Sequence, residues 1–398
     1  MDNRKKILVV TPSFYSPGAE QLDRLGGFSQ LTRLGYEVKV IAKLAEWHST
    51  EFFSMTARDL GIQVIPISYK YSKRNLFSEI LHPLLLDGAA FEYNDPEIKK
   101  TFEKEINNWR PNFVFFDCTY LWPLYDIARK AGIPVIARSI NFEPRHFLQE
   151  EGYAPTNCIK ALLKLAGEYV AVRKSDWLFA ITPDEEQMYR RLGARRISAL
   201  PLRGLPDCIR SEHQIRARRP LNVFFFGSTY NVSHNRRALE FVLKEIAQSV
   251  RTARNGEFIF HISGRKLPEE YKKYFADDVI YHGYLDYGAL DKLLLDMDIA
   301  LIPSFFGAGM QQKIFEPLCR GIPTITSERG IAGYPFRHKE NVYLAKTTED
   351  FISGLLELRD VSLRKKLSQE SIKTAQKIFS QTALDSIVQS AIDTLKSN

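Results

Sequence analysis

The sequence predicts an α/β protein made of two doubly wound units that face each other across a cleft. Three observations carry this. Short runs that are apolar on both faces alternate with longer amphipathic segments, the pattern of buried parallel sheets covered by helices on each side. The alternation stops once and restarts, in a chain of 398 residues that is too long for one ordinary core. The break between the cycles is rich in Pro, Gly and Arg instead of being periodic.

In the first cycle the strand-like runs are KKILVV (5–10), YEVKVIA (36–42), IQVIPI (62–67), NFVFFD (112–117), IPVIAR (133–138) and WLFAIT (177–182). The break is PLRGLPDCIRSEHQIRARRPL (201–221), with five arginines, a composition suited to an exposed connection between domains. The second cycle runs through NVFFFG (222–227), EFIFHIS (257–263), VIYHG (279–283), DIALIPS (298–304) and IPTITS (322–327). Beyond 347 the pattern is helical to the end. The expected domains are two Rossmann-like units, 1–205 and 206–379, with a helix over about 380–398 that could pack back on the first. Ligands of open α/β sheets bind at the carboxyl ends of the strands, which turns attention to the loops there.

Composition narrows the function. At 44% hydrophobic and 26% charged residues, the chain has the balance of a soluble protein. No apolar run approaches the roughly 20 residues that span a bilayer. The start, MDNRKKILVV, passes from a basic stub into a strand without a cleavage signal, so a cytoplasmic location is expected. Cys118, Cys158, Cys208 and Cys319 are scattered and read as reduced thiols, with Cys118 and Cys319 as core residues. A net charge of +8 fits an anionic partner, but no recognition motif supports nucleic acid.

The most informative stretch is PSFFGAGMQQKIFEPLCRG (303–321): the end of a strand, a glycine turn through Gly307, Ala308 and Gly309, and a helix closing near Gly321. Amides at a helix start and the helix dipole form an anion site, and glycines let backbone approach phosphate closely. Lys313 adds a full charge about one turn in. Glu316, three positions on, lies on roughly the same face and suits the paired hydroxyls of a sugar. Together they read as lysine for diphosphate and glutamate for ribose. The same spacing also fits a plain surface ion pair. Pro317 should free the Lys313 carbonyl or kink the helix.

With these residues in view, the C-terminal half resembles glycosyltransferase family 4, the retaining nucleotide-sugar transferases of GT-B fold. Members carry two glutamates separated by seven residues at this helix. Glu316 matches the second, which holds the donor ribose in the family, while the first falls on Ala308. GAGMQQKIFEPL resembles a branch in which a glycine turn and Lys-x-x-Glu replace the first acid, which places Gly309, Met310, Gln311 and Gln312 beside the donor. FFFGSTYNVSHNRRALEFVLKEI is similar to the branch's first strand, glycine turn and long helix, implying donor contacts from Gly227, Ser228 and Asn235. IFHISGR and YHGYL resemble the turns that line the base, giving Gly264, Gly283 and Tyr284. TSERGIAG resembles the loop beneath the diphosphate, giving Glu328, Gly330 and Arg329.

In the N-terminal, acceptor-side half, SPGAEQLDRLGGF is similar to the glycine turn near the donor phosphate, with Gly18 the first candidate and Gly26 or Gly27 the others. RSINFEPRHF resembles an Arg-x-His-Asn-x-Glu pattern, matching at Arg138, Asn141 and Glu143. Ile140 stands at the histidine position, so His146 or another group would substitute, unless no base is required. The resemblance implies a retaining sugar transfer from a nucleoside diphosphate sugar to a saccharide acceptor, in bacterial surface polysaccharide or lipid-linked glycan synthesis. In that mechanism the leaving phosphate takes the acceptor proton, and neither cofactor nor essential metal is needed. Two other readings stay open: a nucleotide-sugar epimerase, a reaction that other GT-B proteins perform, and a non-catalytic nucleotide- or glycan-binding partner, which Ala308 and Ile140 at positions of polar family residues would suit.

Two signals point elsewhere. Asp296 and Asp298 form an Asp-x-Asp of the kind that holds metal in other transferases, but they sit where a helix gives way to a buried strand and are read as structural. YKYSKRNLF (69–77) interleaves aromatic and basic residues before an apolar segment. It fits a solvated loop, and also a peripheral contact with an anionic membrane.

Overall fold

The computed structural model describes residues 5–14, 19–44, 50–68, 90, 93, 95–305 and 308–397. Gly18, Gly307 and the basic-aromatic stretch 69–77 lie outside the described residues. The chain divides into two compact units, Met1–Gly204 with Thr382–Asn398, and Leu205–Gln381.

The first unit holds a seven-stranded parallel sheet formed by β1 (Lys6–Thr11), β2 (Glu37–Leu44), β3 (Gln63–Ser68), β4 (Phe113–Phe116), β5 (Val135–Arg138), β6 (Trp177–Ala180) and β7 (Ile197–Ala199), in the order 3-2-1-4-5-6-7. The order reverses between β1 and β4, whose pairing sets Ile7 opposite Phe113. Val114, Phe116 and Val135 pack on one face with Phe102 and Tyr125, while Val9, Val40, Phe115 and Ile136 pack on the other with Phe28. The helix Gln381–Lys396 brings Leu384, Val388, Ala391 and Ile392 into that second face, the i, i+4, i+7, i+8 stripe of an amphipathic helix.

The second unit holds six parallel strands, β8 (Leu221–Thr229), β9 (Phe258–Arg265), β10 (Val279–Tyr281), β11 (Ile299–Ile302), β12 (Thr324–Thr326) and β13 (Tyr343–Leu344), in the order 10-9-8-11-12-13. Both sheets have the Rossmann-like doubly wound order with one reversal. After β8 a helix runs from Ser233 to Glu240, widens into a π-helical stretch over Phe241–Ala247 and resumes over Gln248–Ala253. Among the described residues no helix is long and apolar enough to cross a membrane.

The segment 201–221, expected as an exposed connection, contains the division between the units and is only partly exposed. Three of its five arginines are taken up by carboxylates of the second unit: Arg210 binds Asp291 at 2.8 Å, Arg216 binds Asp296, and Arg218 binds Asp298 at 2.9 Å and Asp296 at 3.1 Å. Leu205 and Cys208 are buried. The sequence shows the arginines but not the acids awaiting them. These contacts also occupy the Asp-x-Asp, since Asp298 additionally receives the Asn222 amide at 2.9 Å and lies 3.4 Å from buried Arg364. Cys118, Cys208 and Cys319 are buried and Cys158 is exposed.

Candidate functional site

At the carboxyl end of β11 the chain turns through Gly309, which has the left-handed φ of 69°, and enters the helix Gln312–Arg320. Gln311 stands extended at its N-cap and makes no side-chain cap bond. The helix runs through Pro317 and stops at Gly321, whose φ is 75°. A Cβ there would also lie 2.5 Å from Ile372, so glycine serves both the cap and the packing.

Lys313 and Glu316 diverge on this helix. Lys313 Nζ donates to Asn235 Oδ1 at 2.9 Å, and Asn235, itself buried, donates to the Thr229 carbonyl at 3.1 Å and approaches Ser228 Oγ at 3.4 Å. The lysine of one strand-helix turn is thus tied to the turn after β8. Glu316 Oε1 instead accepts from Arg320 Nε at 3.1 Å and Nη2 at 2.8 Å, and its Oε2 accepts from Gln312 Nε2 at 3.1 Å. Arg320 continues to Asp291, whose pKa this contact lowers. A carboxylate offers about four acceptor positions. With three in use, Oε2 retains room for one further donor such as a ribose hydroxyl.

Lys313 lines a cavity of about 190 Å³ together with His234, Arg237, Phe241, Phe305 and Gln311. Its aromatic side is a rigid cluster, with Phe241 meeting Phe305 at 5.2 Å and Phe351 at 5.4 Å in edge-on contacts. One lysine, one arginine, a histidine and an apolar floor therefore share one concavity at the strand ends. Sequence reasoning did not single out His234 or Arg237. Their i, i+3 spacing at the start of the helix after the β8 turn was the available signal. Met310 is buried beside the turn and Ala308 is partly exposed.

The remaining glycines have packing roles, and Gly227 and Gly264, expected in turns, lie within the ends of β8 and β9. A Cβ on Gly227 would lie 2.6 Å from the Tyr230 ring, and one on Gly264 would lie 2.2 Å from the Gly227 carbonyl. Tyr230 is fully buried between them and donates to the Ser263 carbonyl at 2.6 Å. Gly330 is likewise enclosed by Thr326 and Ile314. Gly283 differs, because no atom lies within 4 Å of its Cβ position while its φ is 68°. Next to it Tyr284 is exposed, with the Arg265 guanidinium 3.7 Å from its ring centroid. This leaves an aromatic-cation platform able to stack a base. Glu328 is exposed and 3.5 Å from Lys346, and Arg329 lies in the same short 3₁₀ turn, Glu328–Ile331.

In the first unit, Arg138 is fully buried at the end of β5 and is not placed to touch an acceptor. It binds Asp23 at 2.6 and 3.0 Å, and Arg203 joins both Asp23 at 3.0 Å and Asp117 at 2.7 Å. Burial raises the Asp23 pKa, but the Arg138 and Arg203 charges outweigh it and hold the carboxyl at about 2. Gly26 and Gly27 make way for this cluster, since a Cβ on either would strike Arg203 at 2.4 or 2.1 Å. Asn141 and Glu143 follow at the loop after β5, where Glu143 opens the helix Glu143–Glu151 and lies 3.8 Å from Lys164. Ile140 packs on the apolar core, and His146 stands within the same helix as Glu143. The partners Asp23, Asp117 and Arg203 were missed. Asp117 directly after NFVFF was the legible hint, a charge closing an apolar strand.

Residues 220–360 match the family model described as glycosyl transferases group 1. No curated protein matches the chain. Among solved structures it is similar to HepE from Anabaena in complex with UDP and glucose, at 14% identity and a TM-score of 0.65, over 99% of this chain and 100% of that one. Sucrose-phosphate synthase from Thermosynechococcus elongatus gives 12% identity and a TM-score of 0.69 over 99% and 100%. A glycosyltransferase from Rickettsia africae gives 13% and 0.68 over the full length of both chains. The chain has the GT-B glycosyltransferase fold, and the match to the group 1 glycosyl transferases lies within its second unit.

Proposed function

We propose that this protein is a retaining glycosyltransferase of the family 4 type that moves a sugar from a nucleoside diphosphate sugar to a saccharide acceptor in surface polysaccharide or lipid-linked glycan synthesis. The observation that carries the reading is the divergence of Lys313 and Glu316. The lysine is tied to Asn235 at the cavity while the glutamate is held by Arg320 with one acceptor position left. A plain surface ion pair would have joined the two to each other.

In this reading Lys313 and the helix amides stabilise charge on the departing diphosphate. Glu316 receives a ribose hydroxyl, and Tyr284 with Arg265 stacks the base. Gln311 at the helix start and Asn235 complete the donor side. Asn141 and Glu143 belong to the acceptor side, where the reaction depends on positioning more than on a protein base. Asp296 and Asp298 are committed to arginines, so no metal is assigned to them. Complexes of HepE with UDP and of HepE with UDP-glucose make UDP and its sugars the first donors to try.

Titration calorimetry with uridine, guanosine, adenosine and thymidine diphosphates and their sugars should show one base bound preferentially, and the matching sugar should be released to a saccharide acceptor. Binding of none of them would overturn the reading. Turnover of the sugar without acceptor would replace it with epimerisation.

A further inference from the structure

The loop from Ser139 to Glu143 carries Asn141 and Glu143, and one buried carboxyl supports it. Glu168, on the helix Pro155–Lys174, is 2% exposed. Its Oε1 accepts from the Thr119 hydroxyl at 3.1 Å and from the Glu143 backbone N–H at 3.2 Å. Its Oε2 stands 2.9 Å from the Tyr189 hydroxyl oxygen. That oxygen is also 2.8 Å from Ser139 Oγ, and Ser139 Oγ donates to the Asn141 carbonyl at 2.8 Å.

Each hydroxyl in this run has one hydrogen. The Asn141 carbonyl has none, so the Ser139 hydrogen goes to it. Ser139 Oγ must then accept, and the Tyr189 hydrogen goes to Ser139. The contact between Tyr189 and Glu168 is left without a hydrogen unless Glu168 supplies it. An ionised Glu168 would set two oxygen lone pairs against each other at 2.9 Å in a dry interior, or would leave the Ser139 to Asn141 contact without its hydrogen.

We propose that Glu168 is a protonated carboxylic acid in the folded protein, the first donor of a one-way chain from Glu168 through Tyr189 and Ser139 to the Asn141 carbonyl that positions the loop bearing Asn141 and Glu143. The groups facing it agree. Glu143 is acidic, Tyr125 and Tyr189 are phenols, and Glu185 stands beyond Tyr189. Lys164, on the same helix, is directed to Glu143. Burial first, then the Glu143 charge, raise the Glu168 pKa to about 8 against the bonds it accepts. The value of the loop to catalysis rests on the glycosyl-transfer reading; the protonation state does not.

The test combines spectroscopy and kinetics. The infrared difference between wild type and Glu168→Gln at neutral pH should show a carboxylic-acid carbonyl band in the wild type that converts to carboxylate as pH rises through about 8. Glu168→Leu should lower turnover roughly 10- to 100-fold by loosening the loop. Glu168→Gln, whose amide N–H replaces the acid O–H, should rescue most of that loss and remove the alkaline fall in the wild-type pH profile. A carboxylate band at neutral pH overturns the proposal. So does a Gln variant as poor as the Leu variant while both melt cooperatively. If wild type turns over no donor at all, the glycosyl-transfer reading fails, and the infrared band still decides the acid.

Discussion

Glu316 and Lys313 show how a single residue's environment decides which substitution is informative. Glu316→Ala would leave buried Arg320 with Asp291 as its one remaining carboxylate, and because breaking a buried pair from one side is destabilising, a loss of binding would say little about ribose. Glu316→Gln keeps shape and one acceptor oxygen. It should weaken nucleotide binding roughly 10-fold or more if a charge-assisted bond to ribose is lost, about 1.5–3 kcal/mol, with KM for the donor rising more than kcat falls. Equal nucleotide affinity by calorimetry would remove the ribose assignment. Lys313→Ala should instead reduce turnover by roughly 10²- to 10³-fold, as removal of a donor to developing charge does, and an unchanged kcat would sink its role at the diphosphate. The sequence placed both residues on one helix but could not rank their partners. Glu316 sits three from Lys313 and four from Arg320, both helix-neighbour spacings, and only the packing of Asp291 behind Arg320 chose between them.

Among elements, the carboxyl ends of β8 and β9 are coupled through Tyr230, which fills the space that Gly227 and Gly264 leave empty. Gly264→Ala should therefore destabilise the second unit by about 1–3 kcal/mol through overpacking, with further strain because its φ is 154°. Urea unfolding would show it as a lower midpoint at unchanged slope. Gly283→Ala, which meets nothing, should cost only the left-handed penalty of about 1–2 kcal/mol. The sequence marked these glycines as turn residues, whereas Gly227 and Gly264 lie inside the last residues of β8 and β9. Their reason was not legible, because the contact is to a tyrosine three residues past one glycine and 34 before the other. All eleven apolar runs became strands; for the central ones the reason is that a strand buried on both faces must be apolar throughout, while the edge strands β3 and β10 are partly exposed. The edge strands β7 and β13, three and two residues long, are too short to leave such a run. In the arginine-rich segment 201–221, charge reads as exposure until the acidic partners of Arg210, Arg216 and Arg218 are seen.

At the scale of the whole molecule, the two units should respond to acid in opposite ways. In the second, His261 Nδ1 meets His282 Nε2 at 2.9 Å, and burial, then the His282 charge, lower the His261 pKa to about 4. Unfolded, this histidine binds a proton near pH 6.5. Between about 6.5 and 4 the unfolded form therefore holds the extra proton, and stability falls as pH falls, by about 3 kcal/mol across the window. In the first unit Glu168 works the other way. Its raised pKa makes the folded form hold the proton, so stability grows as pH drops from about 8 towards the ordinary carboxylate range. Asp23, held at about 2 by Arg138 and Arg203, gives up its contribution only below about 4. All four tryptophans, Trp47, Trp109, Trp122 and Trp177, lie in the first unit, so indole fluorescence reports that unit alone while circular dichroism reports both. Acidification from pH 7 to 4.5 in moderate urea should produce a loss of helical signal that precedes any change in tryptophan emission. His261→Gln should move the early transition to lower pH and leave the fluorescence transition where it was. Coincident transitions in the wild type would mean that the histidine pair does not govern the acid response of the second unit.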